Sequence, residues 1–459
     1  MAGIGFELRR LLQKESLSGK LQAYVFSAVI GSGPWVLSIV AILAIAVLSA
    51  SGQGGSVFVS TFQVSLTYLM AFSLILSGLL QLMFTRFIAD RLFDGHTDVV
   101  LPNLFGALLL TIAVSGSLAL LAVTFWLGGS LFYRATMFMA FVILNAIWIV
   151  VIFASAIKAY KKVLLVFLIG YSVTVAMAYL LRSLGVEGLL MGFVIGQAVL
   201  LFSLLSMVIT AYPSNGLLAF GFLQKTQIYP SLIATGLFYN LGVWIDKFIF
   251  WLHPDTGVAI TTSLRASPIY DLPIFLSYLS LIPGMAVFLI RMEADFAEHC
   301  ERFFSTIKNG GSLRELQQAK EALVESVQAG GLMTVIKVQG AVTLILLVMA
   351  GDILPALGIT DMDRRILNLH LIGVALQLLF MSVLNVFYYL DKRGDALKVC
   401  LIFLLSNATL TGLLMPLGQA YYGLGFTLAM ALTAAVSLLM LTRRLKFLEY
   451  DTFMLQKLD

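Results

Sequence analysis

Charge is scarce in this 459-residue chain: Asp, Glu, Lys and Arg together supply only 12% of it. Soluble domains carry roughly twice that share, so the composition excludes an ordinary globular surface. Cysteine is scarcer still. Cys300 lies in a polar stretch and Cys400 in an apolar one; two residues cannot build a disulfide framework and their spacing fits no metal, so both are expected as unpaired thiols. Histidine is equally thin, with His96, His253, His299 and His370 scattered along the chain. His299 adjoins Cys300, yet neighbours on a helix point apart and further ligands are missing, so no metal site is expected. Gly-rich phosphate loops, Walker patterns and nucleophile elbows do not occur. That removes ATP-driven pumping and soluble-type hydrolysis, and leaves a non-enzymatic protein without a cofactor as the expectation.

Hydrocarbon is what the chain has in plenty. Hydrophobic residues make up 60% of it and the mean hydropathy is +0.97, which places it among polytopic membrane proteins surrounded by lipid. Apolar runs bounded by charges or turn formers predict twelve transmembrane helices, near 21–49, 57–84, 103–127, 134–157, 163–182, 188–210, 229–252, 269–290, 332–352, 366–390, 396–417 and 423–442. The expected fold class is therefore an all-α membrane protein. An even number of spans puts both termini on one side. With that side taken as the cytoplasm, 23 Lys and Arg fall inside and only Arg134, Arg182, Lys247, Arg265, Arg364 and Arg365 fall elsewhere. The positive-inside rule demands such a split. Topology thus accounts for the net charge of +5, and no nucleic-acid partner is expected.

Six spans precede residues 211–228 and six follow. The expected organisation is an amphipathic cytoplasmic helix over 1–20, a first six-helix lobe over 21–210, a cytoplasmic linker over 211–228, a second six-helix lobe over 229–442 and a cytoplasmic tail over 443–459. Both lobes would enter from the cytoplasm as a parallel repeat around a central cavity. A faint internal echo supports the repeat: Gly31-Ser32-Gly33-Pro34-Trp35 interrupts the first helix, and Asn240-Leu241-Gly242-Val243-Trp244 stands at similar depth in the seventh. Pro34 removes a donor and should kink its helix near Ile30. Broken first helices commonly line a transporter cavity, although Gly and Pro are tolerated in ordinary membrane helices too.

Adjacent opposite charges, Asp246 and Lys247, stand inside the seventh run. A charge in mid-membrane costs roughly 2.5 to 3.5 kcal/mol, so such residues face a bundle interior or a wet cavity. Neighbouring helical positions diverge by about 100° and should need separate partners. Lys247 is expected to pair with Asp271 as an external gate, with Asp246 facing the cavity; a purely structural ion pair is the alternative. The other polar groups expected along a substrate pathway are uncharged: Tyr24, Gln63, Asn145, Tyr239, Asn240, Asn385 and Tyr388, with Trp35 and Trp244. Amides serve hydroxyl groups and aromatic rings stack on pyranose faces, so this lining suits sugars. The same residues can serve as glue between helices. The first six spans hold no deep Arg or Lys, which argues against a lipid-linked pyrophosphate.

The stretch 291–331 is expected to form a cytoplasmic helical hairpin that breaks at Asn309-Gly310-Gly311 and restarts with a capping box, Ser312 and Glu315. Its apolar face, with Phe296, Phe303, Leu316 and Leu323, is a candidate for docking a partner, unless it lies on lipid or neighbouring helices. Asp361-Met362-Asp363 resembles the acidic pair of some membrane glycosyltransferases, but Arg364 and Arg365 directly follow and would neutralise it.

The opening Met1-Ala2-Gly3-Ile4-Gly5-Phe6-Glu7-Leu8-Arg9-Arg10, together with Gly31-Ser32-Gly33-Pro34-Trp35, resembles the PelG family, and the likeness runs end to end. That resemblance implies the polysaccharide transporter branch of the multidrug/oligosaccharidyl-lipid/polysaccharide (MOP) flippase superfamily. It further implies movement of the amino-sugar-rich Pel exopolysaccharide across the bacterial inner membrane into the periplasm, in support of a biofilm matrix. A cytoplasmic glycosyltransferase and membrane regulatory subunits of the synthase complex, responsive to cyclic di-GMP, would be its partners. The resemblance carries no functional residues onto this chain. An ion-coupled small-molecule exporter and a membrane glycosyltransferase or polymerase using Asp361 and Asp363 remain as alternatives.

Overall fold

The computed structural model describes residues 38–45, 47–48, 55–157, 159–214, 216–224, 228–356 and 364–454. The expected amphipathic segment 1–20, the Gly31–Trp35 interruption, Asp361 and Asp363 lie outside the described residues. Five long helices follow residue 54: α1 (Gly55–Phe93), α2 (Val100–Phe125), α3 (Leu131–Ala156), α4 (Tyr160–Leu181) and α5 (Val186–Ala211). After them come α6 (Pro230–Leu252), α7 (Pro268–Leu279), α8 (Leu281–Phe288), α9 (Phe296–Lys308), α10 (Leu313–Glu325), α11 (Met333–Ala356), α12 (Arg364–Tyr389), α13 (Arg393–Leu414), α14 (Leu424–Lys446) and the short α15 (Leu448–Phe453). Among the described residues ten helices are long and apolar enough to cross a membrane, or eleven when the bent pair around Ser280 counts as one span.

Three boundaries show why the chain folds as it does. Helix α1 runs nine residues past the expected end at 84, because the Arg86–Asp90 pair, 3.0 Å apart one turn on, keeps the helix going beyond its apolar stretch. The expected span 269–290 is bent by 42° between α7 and α8. Pro283 accounts for the break, since it offers no amide to the carbonyl of Leu279 and its ring clashes there. Gln339 of α11 donates to the Ser280 carbonyl at 3.2 Å and so ties the bend to that helix. At α10, Ser312 and Glu315 form both halves of a capping box, and Gly310 adopts the positive φ of 67° that the preceding turn needs.

The described chain divides into two compact units. The first takes in the chain up to Trp244 and Phe250–Pro268; the second takes in Ile245–Ile249 and the chain from Ile269 onward. In the first, α5 carries Gly188, Gly192 and Gly196 at four-residue spacing against α4. A methyl group at Gly192 would collide with the backbone of Ala178, and one at Gly196 with Thr174. This small-residue stripe lets the two backbones touch. Phe84, Phe153 and Phe222 fill the core where α1, α3 and the segment after α5 meet. In the second unit, α12 and α13 pack against α14 around Val374, Phe380, Phe403 and Phe426, all fully buried. A two-stranded antiparallel ladder, β1 (Val258–Ala259) with β2 (Arg265–Ala266), follows α6.

Candidate functional site

In the second unit, Asp246 and Lys247 occupy consecutive positions of α6, six residues or about 9 Å before its end at Leu252. Asp246 has no exposed surface and Lys247 has 5%. A carboxylate buried alone would cost several kcal/mol, so its surroundings must supply donors. They do so from three helices. The Lys247 Nζ stands 3.2 Å from Oδ2 and 3.3 Å from Oδ1 of its own neighbour. The Tyr270 hydroxyl of α7 donates to Oδ2 at 2.6 Å, and the Asn407 amide of α13 donates to Oδ1 at 3.3 Å. Thr411, one turn on, donates in its turn to the Asn407 side-chain Oδ1 at 3.1 Å. The ammonium also faces the rings of Tyr278 and Phe426 at 5.9 and 5.7 Å, within cation–π range. His370, fully buried, meets Tyr270 edge-on at 4.7 Å between centroids.

Although the Cβ directions of the two charges diverge, the long Lys247 stem folds back and brings its ammonium 3.2 Å from the Asp246 carboxylate. Asp246 is enclosed by donors, with no atom open to solvent. Asp271 stands half-buried in the first turn of α7, next to the Tyr270 that binds Asp246.

In the first unit, α1 and α6 cross with almost no separation: a methyl group on Gly236 would run into the Gly78 carbonyl, and one on Gly78 into the Asn240 amide. Asn240 donates back to the Gly236 carbonyl at 2.9 Å, which spends its amide on its own helix. Further along α1, Tyr68 stacks on Trp251 with centroids 4.7 Å apart and planes 18° from parallel; Trp126 lies 6.1 Å from Tyr68 and Trp244 lies 6.2 Å from Trp251. The Tyr68 hydroxyl donates to the Arg265 carbonyl at 2.9 Å and accepts the Arg265 N–H at 3.2 Å. The Arg265 guanidinium donates to the carbonyls of Trp251, at 2.9 Å, and Gly257, at 2.6 Å, and so caps α6.

The expected pathway residues divide between the units. Gln63, Asn145, Tyr239, Asn240 and Trp244 belong to the first, and Asp246, Lys247, Asp271, Asn385 and Tyr388 to the second. Tyr24 and Trp35 lie outside the described residues. Asn145 is fully buried; its amide donates to the Phe141 carbonyl at 2.8 Å, while its Oδ1 has no partner among the described residues. Gln63, Tyr239 and Tyr388 are half-buried, and Asn385 is buried. The four residues expected to dock a partner are covered by the chain itself: Phe296, Phe303 and Leu323 are fully buried, Leu316 is 8% exposed, and the Phe296 ring meets Tyr389 at 5.3 Å. That face is internal because α9 and α10 pack their apolar stripes on each other and on the second unit.

Sequence reasoning overlooked Tyr270 and Asn407, the two neutral donors to Asp246. The lone amide of α13 was the available signal for Asn407. Tyr270 carried none, being one of many tyrosines near helix ends.

The family described as PelG, putative exopolysaccharide exporter (EPS-E), matches residues 1–453. Solved structures share the fold at low identity. A MOP superfamily transporter from Pyrococcus furiosus is 12% identical with a TM-score of 0.63, covering 93% of this chain and 96% of its own. A eukaryotic MATE transporter is 14% identical with a TM-score of 0.62, covering 96% and 95%. A Vibrio cholerae MATE transporter is 13% identical with a TM-score of 0.61, covering 97% and 98%. No curated protein matches the chain.

Proposed function

The chain belongs to the PelG family of putative exopolysaccharide exporters, and from that premise we propose that it carries the amino-sugar-rich Pel polymer from the cytoplasm to the periplasm across the bacterial inner membrane, supplying a biofilm matrix. The observation that carries this reading is the family match over residues 1–453, joined to a fold shared with MOP transporters. Gln63, Tyr239, Trp244, Asn385 and Tyr388 would supply the neutral amides and rings that a sugar polymer needs along its path, whereas Asn145 and Asn240 have their amides engaged by their own helices. A cytoplasmic glycosyltransferase would feed the chain end, with membrane regulatory subunits of the synthase beside it. Lys247, held by Asp246, would act as an external gate by exchanging that carboxylate for Asp271. In cells lacking this chain, secreted polymer should vanish while polymer synthesis in the cytoplasm persists. Undiminished secretion would refute the reading.

The fold likeness to MATE proteins favours a second reading, ion-coupled export of small molecules. Such coupling needs a titratable acid, and Asp246 would serve only if a cation displaced Lys247 from it. Drug tolerance that rises on overexpression, and falls again with Asp246→Asn at equal abundance, would support this reading over the first. The polymerase reading makes a different demand: Asp361→Asn with Asp363→Asn should abolish polymer formation, and we expect polymer to form normally.

A further inference from the structure

Helix α14 ends at Lys446, the last residue of a membrane-spanning stretch, and the chain turns there: Phe447 leaves helical geometry with φ of −101° and ψ of 20° before α15 begins. Three ion pairs fix how α15 faces. Glu449 reaches Lys320 of α10 at 3.1 Å, and Asp451 reaches Lys392, just before α13, and Arg444 of α14. Leu448 is buried beside them. Both acidic residues of α15 are thus turned toward the rest of the second unit. What α15 turns outward is apolar. Phe447, Tyr450, Phe453 and Met454 recur at three- and four-residue spacing, on one helical face, and are 47%, 57%, 49% and 68% exposed.

Two observations say what covers this face. The first is continuity. Leu428, Leu432 and Leu439 stand exposed along α14 at four- and seven-residue steps, the lipid-facing row of that span, and Arg443 and Lys446 continue the same stripe up to the turn. The aromatic face of α15 takes over where the row ends. The second observation is charge. Arg443 and Lys446 are both exposed, and among the described residues neither meets a carboxylate; Lys446 rests only over the ring of Phe447, 5.7 Å from its centroid. Cations on the last turn of a span, with tyrosine and phenylalanine just past it, match a layer that offers phosphates and the tops of acyl chains together. A soluble partner would have to cover a face that runs straight on from hydrocarbon.

We propose that α15 lies in the headgroup layer and binds the anionic phospholipids of the leaflet at which α14 ends, with Arg443 and Lys446 on their phosphates and Phe447, Tyr450, Phe453 and Met454 at the top of the acyl chains. The membrane surface and the three ion pairs then hold α15 from opposite sides. Cys300 and Cys400 are buried, so Tyr450→Cys gives the full chain one reactive thiol for a nitrobenzoxadiazole fluorophore, to be read in phosphatidylcholine vesicles containing phosphatidylglycerol. Its emission should be shifted to the blue, and spin labels near the top of the acyl chain should quench it more than labels at the chain end. Spin-labelled phosphatidylglycerol should quench better than spin-labelled phosphatidylcholine at low salt, by up to about fivefold per cation. Arg443→Gln with Lys446→Gln, both on the surface, should abolish that preference while shallow quenching and the melting temperature stay. Water-like emission without quenching would overturn the proposal, as would a lipid preference that survives loss of both cations. Emission that follows protein density in the vesicle in place of lipid would overturn it too, and would assign the face to a second copy of the chain.

Discussion

At Asp246 one carboxylate collects donors from Lys247, Tyr270 and Asn407, so the outcome of a substitution depends on what it leaves behind. Lys247→Met should leave a buried anion with neutral donors only, at a cost of about 3 to 5 kcal/mol, and membrane abundance should fall. Adding Asp246→Asn removes the stranded charge and should restore abundance, after which secreted polymer reports whether the charges also serve transport. A double variant that accumulates as poorly as the single one would show that packing, not charge, governs the site. Sequence placed both charges correctly inside a helix but could not name their partners. Spacing says nothing about which rotamer a lysine takes, and Tyr270 and Asn407 stand 24 and 161 residues away.

Among elements, the apolar runs carried most of the information, since every expected span from residue 57 onward coincides with a helix or with the bent pair α7 and α8. Ends were less legible: hydropathy marks where hydrocarbon stops, while hydrogen bonding and ion pairs decide where a helix stops, as α1 shows beyond Arg86. Close helix contacts also separate glycines that look alike in the sequence. Gly192→Ala should push α5 off α4 and lower the melting temperature in detergent, because the obstacle is backbone; Gly340→Ala, with open space around it, should leave the melting temperature unchanged. Equal effects from both would discount the stripe. At the chain's end, α15 is tied down by Asp451, which accepts from Lys392 at 2.8 Å and from Arg444 at 3.1 Å. Burial pushes the Asp451 carboxyl up, but bonding and attraction from Lys392, then Arg444, outweigh it and hold the group below its ordinary value. A depressed carboxylate adds stability above its unfolded pKa, near 3.9, and that share disappears as pH drops through the lower folded value. Limited proteolysis across an acid series should therefore release the tail only below about pH 4, and Asp451→Asn should loosen it already at neutral pH. A tail equally protected in Asp451→Asn would remove this clasp from the account.

For the molecule as a whole, fold class and family were within reach of sequence because both rest on features spread along the entire chain: apolar runs, basic loops and an opening motif. The site was not, because each of its contacts joins single residues from distant helices. The Asp246–Lys247 contact differs in kind from the others, since both members sit on α6 and neither needs a later helix. During synthesis the chain emerges from its amino terminus at roughly 5 to 20 residues per second, so α6 is offered to the bilayer long before Asn407 exists. It can therefore cross the insertion machinery as an already neutralised pair, and the later donors only refine what is in place. Truncated chains ending before Pro268 should integrate α6 as efficiently as the full chain, and Lys247→Met should impair that integration far more than Tyr270→Phe or Asn407→Leu in the full chain. Glycosylation mapping of the flanking loops would read the difference, and equal impairment by all three would mean that the helix waits for its partners before it commits to the membrane.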